Sequence, residues 1–144
     1  MKAVKPLRRA EVEALDPGVR RLVVLLRSWN FETCDSGDGR SKPGAGVADD
    51  RGIVEVQPMP HVVIEVPALD LLDRFGELLG LLEQAAGVQC DCGGEPDAPM
   101  LQGAIGYDRS ERKVTGFLEV CNVSDADLPA PLLAWLDQEI AALA

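Results

Sequence analysis

The run FETCDSGDGRSKPGAG, from Phe31 to Gly46, sets two aspartates, an arginine and a lysine among glycines, directly after six strand-like residues. Glycines let backbone N–H groups turn towards an anion, and Arg40 and Lys42 would add positive charge. Asp35 and Asp38 oppose a phosphate unless a cation lies between them; they suit hydrogen-bond donors such as hydroxyl or amine groups. The letters do not make a Walker loop, which needs Gly-x-x-x-x-Gly-Lys-Ser or Thr. Nor do they make a dinucleotide fingerprint, which needs a strand running straight into a helix. Connections longer than ~12–15 residues are uncommon in compact domains and are often functional, and residues 37–52 exceed that length. A solvated loop between two strands is the plainer reading, and a ligand or partner loop the more informative one.

His61 is the single histidine, and imidazole is the side chain best suited to proton transfer near neutral pH and a frequent metal ligand. On a strand it shares a face with Glu65, and a neighbouring strand would bring Asp35 close to both. The candidate ligand-binding set is therefore Asp35, Ser36, Asp38, Arg40, Lys42 and His61. Asp35, His61 and Glu65 also admit a divalent ion or an activated water, the chemistry of a metal-assisted hydrolase, with Asp38 as a further ligand or base. A histidine following a proline is equally an ordinary strand-entry residue with one hydrogen bond. Of the four cysteines, Cys90 and Cys92 form C-x-C, too tight for the usual C-x-x-C zinc spacing. Cys34 and Cys121 sit in strand-like runs, where a free thiol packs as a small hydrophobe. No cofactor is expected, and a divalent metal is the lesser alternative.

These residues need a scaffold. DPGVRRLVVLLRSWN reads as a helix with Val19, Leu22, Val23, Leu26 and Trp29 on one stripe. Asp16 and Pro17 fit an N-cap and first-turn proline. FETCDS follows as a strand in which Phe31, Thr33 and Asp35 alternate with Glu32, Cys34 and Ser36. HVVIEVP is a second strand, with Val62, Ile64 and Val66 on one face; GIVEVQ just before it is a short edge strand at most. PALDLLDRFGELLGLLEQAAG is an amphipathic helix with Leu71, Leu72, Phe75, Leu78, Leu79, Leu82 and Ala86 on its apolar side, closed by Gly87. A hairpin, about Leu101–Asp108 and Val114–Asn122 around the charged turn RSERK, and a last helix with Leu132, Leu133, Leu136, Ile140 and Leu143 complete the chain. The order α-β-β-α-β-β-α predicts an α+β fold: a mainly antiparallel four-stranded sheet with helices on one face.

Length and composition agree with one such domain, residues 11–144, behind a basic, loosely held arm at residues 1–10. A chain of 144 residues with 47% hydrophobic residues can bury a core, and with 4% aromatics that core must be aliphatic. The net charge of −10 excludes a phosphate-backbone binder. The charge is uneven: residues 1–51 hold ten Lys or Arg and eight Asp or Glu, whereas residues 52–144 hold four and sixteen. An anionic ligand is therefore expected near the N-terminal third. No apolar run reaches the ~20 residues of a membrane span, and a cytoplasmic location is the expectation.

The sequence SWNFETCDSGDG, then PMPHVVIEV and AIGYDRSERKVTGFLEV, resembles a group of small uncharacterised proteins of actinobacteria and their phages. In that group a helix leads into Gly-Phe-x-Thr-x-Asp-Ser-Gly-Asp-Gly, followed by a Pro-His or Pro-Asn strand, a helix and a hairpin. The likeness covers roughly residues 19–120; Asn30 stands where the group has Gly, and the CDCGG cysteines are this chain's own. It carries no activity, but it implies that Asp35–Gly39 and His61 belong together and that the protein is a regulatory or counter-defence binder. The expected function is thus a small binding domain for a small-molecule or protein partner, with a homodimer as its expected assembly. A purely structural or interaction subunit is the remaining alternative.

Overall fold

The computed structural model describes residues 3–39, 59–90 and 97–144. Its elements are α1 (Arg9–Glu13), α2 (Arg20–Ser28), β1 (Glu32–Gly37), β2 (His61–Pro67), α3 (Leu71–Gln84), β3 (Met100–Asp108), β4 (Lys113–Cys121) and α4 (Ala130–Ala141). The strands form one sheet in the order β1-β2-β4-β3, every neighbour antiparallel. This is the α+β arrangement expected from the periodicities, with one short helix added at the start. The possible strand GIVEVQ lies outside the described residues.

The alternation of β2 decides which face is covered. Val62, Ile64 and Val66 are buried against the helices, together with Leu118 and Val120 of β4 and Leu101 of β3. From the helices come Leu22, Val23, Leu25 and Leu26 of α2, Leu78 and Leu82 of α3, and Leu136 of α4. α2 buries a wider arc than its expected stripe, since Leu25 is inside and Trp29 is only partly covered. Gly87, with φ of +70°, closes α3 in the left-handed conformation, and Val88 N–H then reaches back 2.7 Å to the Leu82 carbonyl.

Besides Asp38, two buried charged side chains break the apolar pattern. Arg74 lies over the Phe31 ring at 3.8 Å, donates to the Asn30 carbonyl at 2.6 Å and pairs with Glu77 at 2.7 Å. Asn30 has φ of +67°, a conformation Asn tolerates. Asp125 accepts from the backbone N–H groups of Arg21 and Leu22 at 3.1 and 2.9 Å. It therefore serves as a remote cap for the first turn of α2, whose positive end favours a carboxylate. Burial pushes the Asp125 carboxyl above its ordinary value, although those two amides pull it down.

The basic N-terminal segment is docked rather than loose. Val4 N–H donates to Asn30 Oδ1 at 2.7 Å, Arg27 reaches the Lys5 carbonyl at 2.7 Å, and Arg9 N–H donates to the Ala144 carbonyl at 2.9 Å. Val12 of α1 is buried. A second departure concerns Leu72. Expected on the apolar side of α3, it is 85% exposed: it stands at the margin of the stripe centred on Leu78 and Leu82, and Leu71 is the residue of that turn that meets the sheet. No helix among the described residues is long and apolar enough to cross a membrane.

Candidate functional site

The site begins with an irregularity in β1. Glu32 pairs with Glu65 and Thr33 with Ile64, but the next partner, Val63, faces Asp35, so Cys34 is the extra residue of a β-bulge. Strict alternation from Thr33 would put Asp35 opposite Val62, on the helix-covered face. The bulge shifts it by one, opposite Val63, and Gly37 then falls opposite His61. Asp35 and His61 consequently share the face turned away from the helices, with His61 Nε2 4.0 Å from Asp35 Oδ2.

The imidazole is held from both sides. Nδ1 lies 3.3 Å from the Met59 carbonyl oxygen, which only accepts, so in the neutral ring Nδ1 carries the proton and Nε2 is the acceptor. Across the strand pair Gly37 leaves just enough space: a Cβ there would lie 2.8 Å from His61 Cε1. The His61 side chain is 17% exposed and the Asp35 carboxylate 73%. A separation of 4.0 Å is too long for a hydrogen bond. Two acceptors at that distance form a cradle for a donor that reaches both.

Asp38, the other aspartate of the motif, points elsewhere. It is 5% exposed, its Oδ2 accepts from Gly18 N–H at 3.1 Å, and its own N–H donates to Asp16 Oδ2 at 3.2 Å. The two carboxylates thus cross-bond Asp16-Pro17-Gly18 to Gly37-Asp38. Gly18 is required for the close approach, since a Cβ there would lie 2.8 Å from Asp38 Cβ. The motif's second aspartate stitches the strand end to the turn before α2. Asp16, expected as an N-cap, makes no side-chain cap to its own turn and serves this junction instead. The Asp-Pro-Gly triplet was the only sequence signal for it.

Ser36 pairs with Val62 and so belongs to the helix-covered side, away from His61. Arg40 and Lys42 lie outside the described residues. Glu65 shares the face of His61 but stands four residues along β2, about 13 Å at ~3.3 Å per residue, and beside Glu32 and Phe117 rather than Asp35. Among the described residues no three His, Cys, Asp or Glu side chains come together as a metal site.

The cross-strand partner of His61 on its other flank is Cys121. Its thiol donates to Glu119 Oε1 at 2.9 Å, and burial together with that carboxylate pushes it up to about 12, so it is held as a thiol. Partial desolvation, followed by the charges of Glu65, Asp35 and Glu32, raises the Cys34 thiol as well, and its Sγ contacts the Val63 carbonyl at 3.5 Å. Neither sulfur is set up as a thiolate nucleophile. No family model, curated protein or solved structure matches this chain.

Proposed function

We propose that the protein is a small non-catalytic binding domain that holds a hydroxyl- or amine-bearing ligand between Asp35 and His61. The observation that carries this reading is the 4.0 Å approach of Asp35 Oδ2 and His61 Nε2 on one face of the sheet. A single ammonium donor bridges such a pair, whereas a hydroxyl donates to one of the two, and the exposed carboxylate leaves the pair open to approach. Arg40 and Lys42 follow the motif directly in sequence and suit an anionic group on the same ligand. The likeness of residues 19–120 to small actinobacterial and phage proteins fits a regulatory binder better than a metabolic enzyme.

The test is thermal stabilisation by ethanolamine, glycerol and phosphoethanolamine, each titrated to saturation. A ligand at a hundred times its Kd stabilises by about 2.7 kcal/mol, a rise of several degrees for a domain of this size. The expected result is a saturable rise with an amine-bearing probe that disappears in Asp35→Ala and in His61→Ala. A rise that persists in both variants, or no rise with any of the three, overturns the reading.

A further inference from the structure

The two edges of the sheet are built differently. β1 is guarded: it carries Glu32 and Asp35, and the bulge at Cys34 breaks its ladder. β3, the opposite edge, has nine residues in unbroken register with β4 and no charged residue or proline from Met100 to Tyr107. Among the described residues it has one strand neighbour, and Gln102, Gly103, Ala104 and Ile105 are exposed. A long, regular, uncharged edge is a template for another strand.

Apolar side chains continue from that edge onto the helix-side face. α3 covers the sheet as far as Gly103 and Gly116, where Leu71 and Phe75 sit, and the hairpin runs on beyond it. Past that limit Ile105, Tyr107 and Val114 are each more than half exposed; beside them Leu69 is 99% exposed, next to Leu72. At ~150–200 Å² for a fully exposed large side chain, these five present about 600 Å² of apolar surface. With the strand edge added, this approaches the ~800 Å² per partner of a standard stable interface.

Charge does not oppose this corner. The chain carries −10 overall, yet the helix-entry and hairpin segments that frame the patch, with Asp70, Asp73, Asp108 and Glu111 against Arg109, Arg112 and Lys113, sum to −1. Two copies meeting there bring little net charge together.

We propose that this surface takes a second copy of the same chain, with β3 antiparallel to β3 about a two-fold axis at Gly106, joining two sheets into one. With the axis there, Ile105 of each copy opposes Tyr107 of the other, a β-branched–aromatic cross-strand pair. The patches at Leu69, Leu72 and Val114 close around them.

Sedimentation equilibrium from 5 to 100 µM in ~0.15 M salt tests this. Wild type is expected at twice the chain mass. Ile105→Lys combined with Tyr107→Lys changes only exposed positions; with far-UV circular dichroism unchanged, it is expected at the mass of one chain, its dissociation constant raised at least tenfold. Glu32→Lys, on the guarded edge, is expected to leave the dimer intact. A wild-type monomer at 100 µM overturns the proposal and leaves the patch to a different partner. A double variant that stays dimeric, or a Glu32→Lys that dissociates, also overturns it.

Discussion

The two aspartates of Asp-Ser-Gly-Asp are chemically identical and three residues apart, yet truncating them should have opposite consequences. Asp38→Ala removes the acceptor of Gly18 N–H from a site that is 5% exposed. A buried donor left without its partner costs about 1–3 kcal/mol. The methyl that remains also leaves space where the carboxylate packed beneath Gly18, so about 2 kcal/mol is expected in all. At ~3 °C per kcal/mol for a chain of this size, the melting temperature should fall by about 6 °C. Asp35→Ala removes a carboxylate that is 73% exposed and should stay within ~0.5 kcal/mol of wild type. Asp38→Asn keeps one oxygen able to accept from Gly18 and belongs between the two. Asp16→Ala loses the acceptor of the Asp38 amide. Because both side chains close one junction, the double variant Asp16→Ala, Asp38→Ala should cost less than the sum of the singles. Differential scanning calorimetry of these variants measures each quantity. If Asp38→Ala melts within 2 °C of wild type, or Asp35→Ala falls as far as Asp38→Ala, the division of labour described here is refuted.

Gly37→Ala introduces a Cβ 2.8 Å from His61 Cε1. The outer end of the imidazole must give way, a movement that costs little stability in itself. Its Cε1–H resonance should shift and probe binding should be lost; an unmoved resonance refutes the close contact. Cys121 sets an alkaline signature. Its thiol stands at about 12 in the fold against 9.0 as the ordinary value. A group raised on folding stabilises the fold fully below its unfolded value, and that stabilisation fades as pH climbs towards the folded one. Urea unfolding should therefore show wild type losing stability relative to Cys121→Ala between pH 9 and 12, and equal slopes would contradict the buried thiol.

The scaffold was legible because periodicity survives without knowledge of contacts. Leu22, Leu26, Leu78 and Leu82 repeat at helical spacing, Val62, Ile64 and Val66 at strand spacing, and each set is buried as read. The failures arise at margins and at changes of phase. Leu72 stands at the margin of the arc set by Leu78 and Leu82, and the first turn of α3 leaves it outside. The site depends on a change of phase in β1. Read as a regular strand, Phe31, Thr33 and Asp35 share a face, and Phe31 is buried. That logic would place Asp35 opposite Val62 and away from the imidazole. The bulge at Cys34 brings Asp35 round to His61, and cysteine carries no letter-level signal for a bulge as glycine sometimes does. The structural role of Asp38 is hidden for a different reason: Gly18, which donates to it, stands twenty residues upstream, and an aspartate before a glycine reads alike as a ligand or as an acceptor for a distant amide. The same bulge that turns Asp35 outward also brings Gly37 opposite His61, where a Cβ would crowd the ring. Asp35, Gly37 and His61 thus stand or fall as one geometric unit, and a β1 without the extra residue would keep every side chain of the motif and lose the cradle.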